Sequence, residues 1–366
     1  MFLEERLQYE NMVSSQYFLH GRGYSSKLFG FEEIMNNIYD IVERIDSGAK
    51  SNIAIIGEPF SGRTELLYKI SDLCQGRESK LFFSSIVRDD MFLRTLEKSG
   101  DIVLVDNCHL LYSRTIGGFE KLNLFLKSVV SSNKLFITTW NYYSWNYLRF
   151  ICPLEKIFPI SIQLPGLDSE EIKKMIKDNY EVQMTFAEEE DIKTKQRLVL
   201  YGPLTDLKFF GSSIKISVPR INYSELKTLI LDKFRSPKQK EETSIEDKVF
   251  QRLKDASEGN PGIAKSIWEK SINRSEGVIK PGDIIKPQHE IDLAYDQSFL
   301  LYTILCMESI TIEELEKQID FMANVDQFVH HLEKSGLIFI DKGLVRIVPE
   351  ALHGMEIHVK SQRLVF

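Results

Sequence analysis

Eight consecutive residues have the spacing of a loop that cradles phosphate groups, with one departure at its lysine position. They are Gly57, Glu58, Pro59, Phe60, Ser61, Gly62, Arg63 and Thr64. In such a loop the glycines let consecutive backbone N–H groups point at a phosphate, and the following helix adds the partial positive charge of its N-terminus. The hydroxyl of Thr64 is placed to bind Mg²⁺. Arg63 keeps the charge of the usual lysine but has a planar, bidentate shape, so the replacement is not conservative.

A second candidate lies where Asp106 and Asn107 end the apolar run of residues 102–105. An aspartate at the end of a buried strand is suited to hold Mg²⁺, and P-loop proteins that hydrolyse nucleotides usually have a glutamate next to it that activates the attacking water. Asn107 stands at that position and cannot accept a proton. A strand-ending turn is the alternative interpretation of these two residues. Together, Arg63 and Asn107 predict that a nucleotide is bound more readily than it is hydrolysed.

A third candidate is the polar end of the apolar run at residues 135–138, where Thr139 and Asn141 follow. These side chains are candidates to lie near a terminal phosphate, but Thr and Asn also favour strand ends for purely local reasons. Both interpretations stay open. Arg149 and Arg114 are competing candidates for an arginine that acts on the site of a neighbouring subunit.

Five short apolar runs predict strands that are buried on both faces. They are residues 52–56, 81–83, 102–105, 135–138 and 160–164. Helical patterns separate several of them, including residues 64–73 directly after the glycine loop and residues 119–130. Alternating strands and helices predict an α/β fold with a parallel P-loop sheet that helices cover on both faces.

The pattern divides the chain into three predicted domains: a nucleotide-binding core at residues 1–165, a helical lid at 166–290 and a final unit at 291–366. Short alternating runs near residues 188–220 predict a small β-hairpin insertion in the lid. The final unit has three helical patterns and two short strands, the order of a winged helix-turn-helix. The predicted helices after residue 165 are 169–179, 223–234, 245–257, 262–272, 298–307, 311–319 and 325–335, and the last strands are 337–341 and 344–348.

Composition narrows the class of protein. Among the 366 residues, no apolar run has the roughly 20 residues that cross a bilayer, and the acidic start is unlike a signal peptide, so no membrane contact and a cytoplasmic location are expected. The four cysteines have no paired spacing, which predicts buried thiols rather than zinc or disulfides.

Residues 291–366 contain twelve acidic and six basic residues, and the whole chain has a net charge of −7. A duplex needs several phosphates neutralised, so this charge favours protein contacts over DNA.

With these features in order, the chain resembles the AAA+ ATPases over residues 25–355, and most of all the archaeal and bacterial branch near the origin-initiator and STAND-type ATPases. Residues 28–33 resemble the family's motif beside the adenine, with Phe31 where an arginine is usual. Residues 259–264 resemble its lid motif, in which Pro261 would lie near the base. Gly262 stands where initiator-like lids often have an arginine, and Lys265 is the candidate substitute.

The resemblance implies ATP or ADP with Mg²⁺ as the ligand. It assigns nucleotide contacts to residues 57–64, Glu65 and Pro261, catalytic positions to Asp106, Asn107, Thr139 and Asn141, and the metal to Thr64 and Asp106. The leading hypothesis is an AAA+-type ATP-binding protein that is a weak or inactive ATPase and acts as a nucleotide-dependent switch or assembly factor. Two alternatives stay open: an initiator-like or regulatory protein that binds DNA, and a partner of a companion ATPase. A homo-oligomer is compatible with each.

Overall fold

A five-stranded parallel sheet forms the centre of the computed structural model, with the strand order β2-β3-β4-β1-β5. Its strands are β1 (Ile53–Gly57), β2 (Glu78–Phe82), β3 (Ile102–Asp106), β4 (Leu135–Asn141) and β5 (Ile160–Gln163). Every residue of β1, β3 and β4 is buried, which is why their sequences are continuous apolar runs rather than alternating ones. The predicted α/β fold with a parallel sheet is confirmed.

The structure describes residues 28–44, 51–74, 76–180, 185–187, 199–201, 205–209, 212–216, 219–221, 244–272, 278–285, 291–319 and 324–364. The predicted helix at 223–234 lies outside these residues. Within them, no helix is long and apolar enough to cross a membrane.

Helices alternate with the strands of the sheet. They are α1 (Glu32–Glu43), α2 (Arg63–Leu73), α3 (Met91–Lys98), α4 (Glu120–Ser131), α5 (Tyr142–Leu148) and α6 (Leu154–Ile157). The helices α3, α5 and α6 were not predicted. In α5 the sequence is dominated by aromatic residues without a polar face, so no amphipathic period marks it. Asn141 caps α5 by accepting hydrogen bonds from the backbone N–H groups of Tyr143 and Ser144.

Three of the described helices lie between the sheet and residue 291: α7 (Ser169–Asn179), α8 (Ile245–Ser257) and α9 (Pro261–Ile272). Between α7 and α8 the structure has a short strand β6 (Thr185–Phe186) and then β7 (Val199–Tyr201), β8 (Thr205–Phe209), β9 (Ser212–Ile216) and β10 (Pro219–Ile221). The strand β8 pairs with β9 and β7 pairs with β10, both antiparallel, so the predicted hairpin has two nested strand pairs. A further strand β11 (Val278–Ile279) pairs with β6.

The C-terminal segment, residues 291–364, contains all three predicted helices and both predicted strands. Its elements are α10 (Tyr295–Met307), β12 (Ser309–Thr311), α11 (Ile312–Gln318), α12 (Val325–Lys334), β13 (Ile338–Asp341), β14 (Leu344–Ile347) and α13 (Leu352–Ser361). The strand β12 and the helix α13 were not predicted. The strands form an antiparallel sheet in the order β12-β14-β13, which leaves β13 at an edge. The helix α10 packs against α5 and α13, so the C-terminal segment lies directly on the sheet layer.

Candidate nucleotide-binding site

The glycine loop connects the end of β1 at Gly57 to the start of α2 at Arg63. Gly62 caps α2 with a φ of +88°, a left-handed conformation that glycine adopts without strain. At Gly57 a side chain is excluded, because a Cβ there would lie 2.3 Å from Ser61 Oγ. The first N–H groups of a helix have no carbonyl partner within it and carry partial positive charge. The loop therefore presents a helix N-terminus at the carboxyl end of β1, the geometry that suits an anion.

Asp106, the last residue of β3, is fully buried and is held by two hydroxyl groups. Thr64 Oγ1 donates to its Oδ2 at 2.7 Å, and Thr139 Oγ1 donates to its Oδ1. Burial raises the pKa of the Asp106 carboxyl above its ordinary value, although these two hydrogen bonds act to lower it. Thr64 and Asp106 are the residues that would hold Mg²⁺ together with phosphate oxygens. The described residues contain no group of three or more His, Cys, Asp or Glu side chains that could bind a metal by themselves.

Asn107 follows Asp106 with a φ of +57°, in the left-handed region that asparagine tolerates better than most residues. Its backbone N–H donates to Thr139 Oγ1 at 2.9 Å, and its side-chain Nδ2 donates to the carbonyl of Phe83 at 3.0 Å. The amide is thus fixed between neighbouring strand ends. It offers no group that can take a proton from water at this place.

Arg63 is 5% exposed, and its guanidinium forms an ion pair with Glu308, the first residue after α10. Asn141 Nδ2 donates to the same Glu308 oxygen at 2.7 Å and to the carbonyl of Leu305 at 2.9 Å. Burial is the largest influence and acts to raise the pKa of the Glu308 carboxyl, but the charge of Arg63, together with His109 and the hydrogen bonds from Asn141 and Arg63, outweighs it, and the pKa lies below its ordinary value. The cation of the loop and the polar end of β4 therefore share one carboxylate from the C-terminal segment.

Ser61 Oγ and Arg63 Nη1 are buried and have no hydrogen-bond partner among the residues that the structure describes. Buried polar groups are nearly always paired, so unpaired donors need an explanation. Together with the N-terminus of α2 they form a set of donors that lacks an acceptor. A phosphate group fits this set.

The predicted adenine side of the loop is formed by Phe31 and by the start of α9. A Cβ added at Gly62 would lie 3.5 Å from the Phe31 ring and 3.8 Å from Pro261, so both residues lie over the loop. The backbone N–H of Gly262 donates to the carbonyl of Phe60 at 3.1 Å. Asn260 Nδ2 also donates to the carbonyl of Pro59 at 2.9 Å. The start of α9 is thus bonded to two backbone carbonyls of the loop.

The acidic loop residues differ in their surroundings. Burial raises the pKa of Glu58 to about 7, and the nearby carboxylates of Glu356 and Glu258 act in the same direction. Glu65 lies in the first turn of α2 and is exposed. Lys265 is exposed as well, and its charge acts on Glu65. Neither of the last two side chains has an ion-pair partner among the described residues that would fix it over the loop.

The two candidate arginines for a neighbouring subunit have different surroundings. Arg114 is enclosed by the rings of Tyr147 at 4.4 Å and Tyr302 at 4.6 Å, so its guanidinium is used inside this chain. Arg149 has a side chain that is 41% exposed and lies 3.9 Å from Glu155. Only Arg149 of these two is accessible to another chain in this arrangement.

The structure brings the sequence-predicted residues together around the end of β1. Asn141 is the register partner of Gly57, and Asp106, Asn107, Thr139 and Thr64 share hydrogen bonds. Glu308 was missed. The sequence contained one indication of its role, because Glu308 follows a predicted helix. A carboxylate at the C-terminus of a helix lies at the negative end of the helix dipole and needs a cation nearby. Nothing in the local sequence shows that this cation is Arg63.

No protein-family model matches the chain, and no curated protein matches its sequence significantly. Among solved structures, the chain is similar to the Thermotoga maritima RuvB Holliday junction branch migration motor, with 14% identity and a TM-score of 0.40 over 92% of this chain and 95% of that one. It is also similar to the ADP form of the Aeropyrum pernix ORC2 protein, with 12% identity and a TM-score of 0.43 over 93% and 97% of the two chains. Similarity to Pyrobaculum aerophilum CDC6P has 11% identity and a TM-score of 0.43 over 94% and 97%.

These scores are too low to carry a conclusion about function, and the fold is assigned from the structure itself. The glycine loop follows β1, and the sheet has the order β2-β3-β4-β1-β5 with helices between its strands. That arrangement is a parallel α/β fold with a glycine loop at the carboxyl end of its first strand, as the sequence predicts.

Proposed function

We propose that this protein binds ATP or ADP with Mg²⁺ at the glycine loop, hydrolyses ATP slowly or not at all, and acts as a nucleotide-dependent switch or assembly factor through protein contacts. One observation carries the proposal. The glycine loop has unpaired buried donors at Ser61 and Arg63 among the described residues, whereas Asn107, next to Asp106, has an amide that cannot accept a proton. The donors support binding of a phosphate group, and the amide supports slow hydrolysis.

Protein contacts are supported by the surface of the C-terminal segment. The edge strand β13 carries Phe339 and Ile340, each 39% exposed, and an open strand edge can pair with another chain. Residues 291–366 contain twice as many acidic as basic residues, twelve against six. A surface of this charge repels a duplex and suits a protein partner.

Nucleotide titration and steady-state hydrolysis test the proposal. ADP labelled with a fluorescent ribose group is expected to bind the purified protein, and turnover of ATP is expected below about 0.01 per second, in the range of P-loop proteins without an assisted water. Asn107→Glu is expected to raise turnover by about 100-fold, because it adds a general base. Asn123→Glu, at an exposed position near the start of α4, is the matched control and is expected to leave turnover unchanged.

Two results would contradict the proposal. Wild-type turnover of about 10 per second, typical of efficient enzymes, would show that Asn107 does not limit hydrolysis. Absence of binding of both ADP and ATP at millimolar concentration would remove the ligand.

A further inference from the structure

The end of α10 brings a carboxylate to the phosphate loop in a strained backbone conformation. Glu308 has a φ of +59° and a ψ of −38°, in the left-handed region that residues with a side chain rarely adopt. Such strain persists only where surrounding contacts hold it, and it is often found at functional sites. Here the contacts are those of the Glu308 side chain with Arg63 and Asn141.

The partial charge at the C-terminus of α10 also favours a contact with Arg63. The C-terminus of a helix carries partial negative charge and has carbonyl groups without partners inside the helix. Two of these carbonyls are satisfied from the sheet layer, Leu305 by Asn141 at 2.9 Å and Cys306 by Ser144 Oγ at 2.7 Å. The negative end of α10, extended by the carboxylate of Glu308, therefore faces the positive end of α2 and Arg63. This arrangement has the charge pattern of an anion bound to a phosphate loop.

We infer that Glu308 is a built-in competitor of the terminal phosphate of ATP, so that ATP must open the Arg63–Glu308 ion pair and displace the end of α10, whereas ADP leaves both in place. The inference rests on the proposed function, because it assumes that the loop binds nucleotides. Arg63 and Asn141 are the side chains that the loop and the end of β4 offer to a terminal phosphate, and Glu308 accepts from both.

The donors that remain explain why a diphosphate is tolerated. Arg63 has two terminal nitrogens, of which Nη2 contacts Glu308 and Nη1 is buried without a partner. Ser61 Oγ and the N-terminus of α2 are also available. A diphosphate can use these groups without breaking the ion pair. A third phosphate adds negative charge beside a carboxylate that is already bound to the same guanidinium.

The competition lowers the apparent affinity for ATP by the fraction of molecules in which the ion pair is open. If the pair is open in about one molecule in a hundred, ATP binds about 100-fold more weakly than it would to the open form, while ADP keeps its full affinity. The end of α10 thus has one position with ADP and another with ATP. A partner that contacts the C-terminal segment would sense the difference.

The displacement can spread to the rest of the C-terminal segment because that segment also contacts the helices near the loop. His353 lies 2.7 Å from Glu258, and Lys270 lies 2.8 Å from Glu350. The first pair joins the C-terminal segment to the residue that follows α8, and the second pair joins it to α9. The C-terminal segment thus contacts both the loop and the helix α9, whose Gly262 is bonded to the loop.

The first experiment compares dissociation constants for ADP and for a non-hydrolysable ATP analogue, both fluorescently labelled. Glu308→Gln removes the charge at constant shape, and Glu308→Gly removes the side chain and also suits the positive φ. The matched control is Glu314→Gln, which breaks the Arg88–Glu314 ion pair of 3.1 Å between the sheet layer and α11, away from the loop. Both Glu308 variants are expected to bind the ATP analogue at least about 10-fold more tightly than wild type, with ADP changed by less than about 3-fold. Glu314→Gln is expected to change neither.

The second experiment compares backbone hydrogen exchange in the wild-type protein and in Glu308→Gly. Hydrogen exchange of the backbone amides in the last turn of α10 and in β12 is expected to be faster with the ATP analogue than with ADP in the wild-type protein. In Glu308→Gly the same amides are expected to exchange at similar rates with either nucleotide, because the ion pair that distinguishes them is gone.

The outcomes separate this inference from the proposed function. If wild type and the Glu308 variants bind both nucleotides and the ATP-to-ADP ratio of affinities is unchanged, the competition is refuted and nucleotide binding stands. If none of these proteins binds either nucleotide, the competition and the proposed function are both refuted. A faster exchange of α10 with ADP than with the ATP analogue would also overturn the competition.

Discussion

Two arginines of the sheet layer contact the helix α10, and their surroundings differ in kind. Arg63 meets a carboxylate, Glu308, within reach of the phosphate loop. Arg114 meets the rings of Tyr147 and Tyr302 and the thiol of Cys306, whose Sγ lies 3.5 Å from its guanidinium. The first contact can be exchanged, because a phosphate, like a carboxylate, offers negatively charged oxygens that accept hydrogen bonds from a guanidinium. The second has no such substitute, since nothing that binds the loop replaces an aromatic enclosure.

The two contacts of α10 therefore differ in when they attach the helix to the sheet layer. Arg114 and its rings attach the helix to the sheet layer whatever the loop contains. Arg63 and Glu308 attach the end of the helix only while no competing anion is bound. The Arg114 contact is therefore kept with any ligand, whereas the Arg63 contact depends on the ligand. Substitutions of the two arginines are expected to affect stability in different ways.

The largest effect is expected for Arg63→Ala. It leaves the carboxylate of Glu308 without its cation and is expected to lower the free energy of unfolding by about 3 to 4 kcal/mol, as when one partner of a buried ion pair is removed. Guanidinium unfolding at neutral pH measures this. Adding Glu308→Gln is expected to restore more than half of the loss, and a strictly additive double variant would show that the two residues do not interact.

Arg114→Ala is expected to cost about 2 to 3 kcal/mol, because it removes a cation from two ring faces and leaves a cavity among them. In contrast to Arg63, no change of a single partner is expected to restore the loss. Urea unfolding of Arg114→Ala with and without Cys306→Ala checks this. Rescue by the second substitution would mean that the thiol, not the rings, sets the energy of this contact.

The pH dependence of stability tests the surroundings of the Arg63–Glu308 ion pair. Burial lowers the pKa of His109 from 6.5 to about 4, and its Nε2 lies 4.0 Å from Glu308. Between these two pH values the unfolded chain binds a proton that the folded chain does not, so stability falls as pH falls through this window, by about 3 kcal/mol in total. Glu58, with its pKa raised to about 7, has the opposite slope between 4.5 and 7.

The difference between the unfolding profiles of wild type and His109→Asn from pH 7 to 4 isolates the His109 contribution, because Glu58 is common to both. His109→Asn is expected to lose less stability on acidification. Parallel profiles would show that His109 is not held neutral beside the ion pair.

The smallest effect is expected for Arg149→Ala. Its side chain is 41% exposed and lies 3.9 Å from a Glu155 side chain that is 69% exposed, so the loss is expected to stay below about 0.5 kcal/mol. Thermal unfolding measures this, and the variant serves as the surface reference for both α10 arginines. A loss comparable to that of Arg114→Ala would mean that arginine removal in general, rather than its surroundings, sets the cost.

Much of the fold and half of the candidate site could be predicted from local sequence. The loop was identified from its own residues and from the buried strand before it. Asp106, Thr139 and Asn141 were candidates because each follows an apolar run that predicts a buried strand, and the carboxyl ends of parallel strands meet at one edge of a sheet. The helix α5 was missed since its aromatic residues show no helical period, and Asn141, its cap, was expected as a phosphate contact or as a residue that ends a strand.

The sequence by itself determined the glycine loop, the buried strands and the amide of Asn107 next to Asp106, since each depends on residues adjacent in the chain. Only the tertiary structure decided what Arg63 binds. Glu308 is 245 positions away, and its sole local signature is an acidic residue at the wrong end of a helix dipole. Which cation compensates it depends on how α10 packs on α5 and the sheet, and that packing is set by the whole apolar core rather than by any one segment.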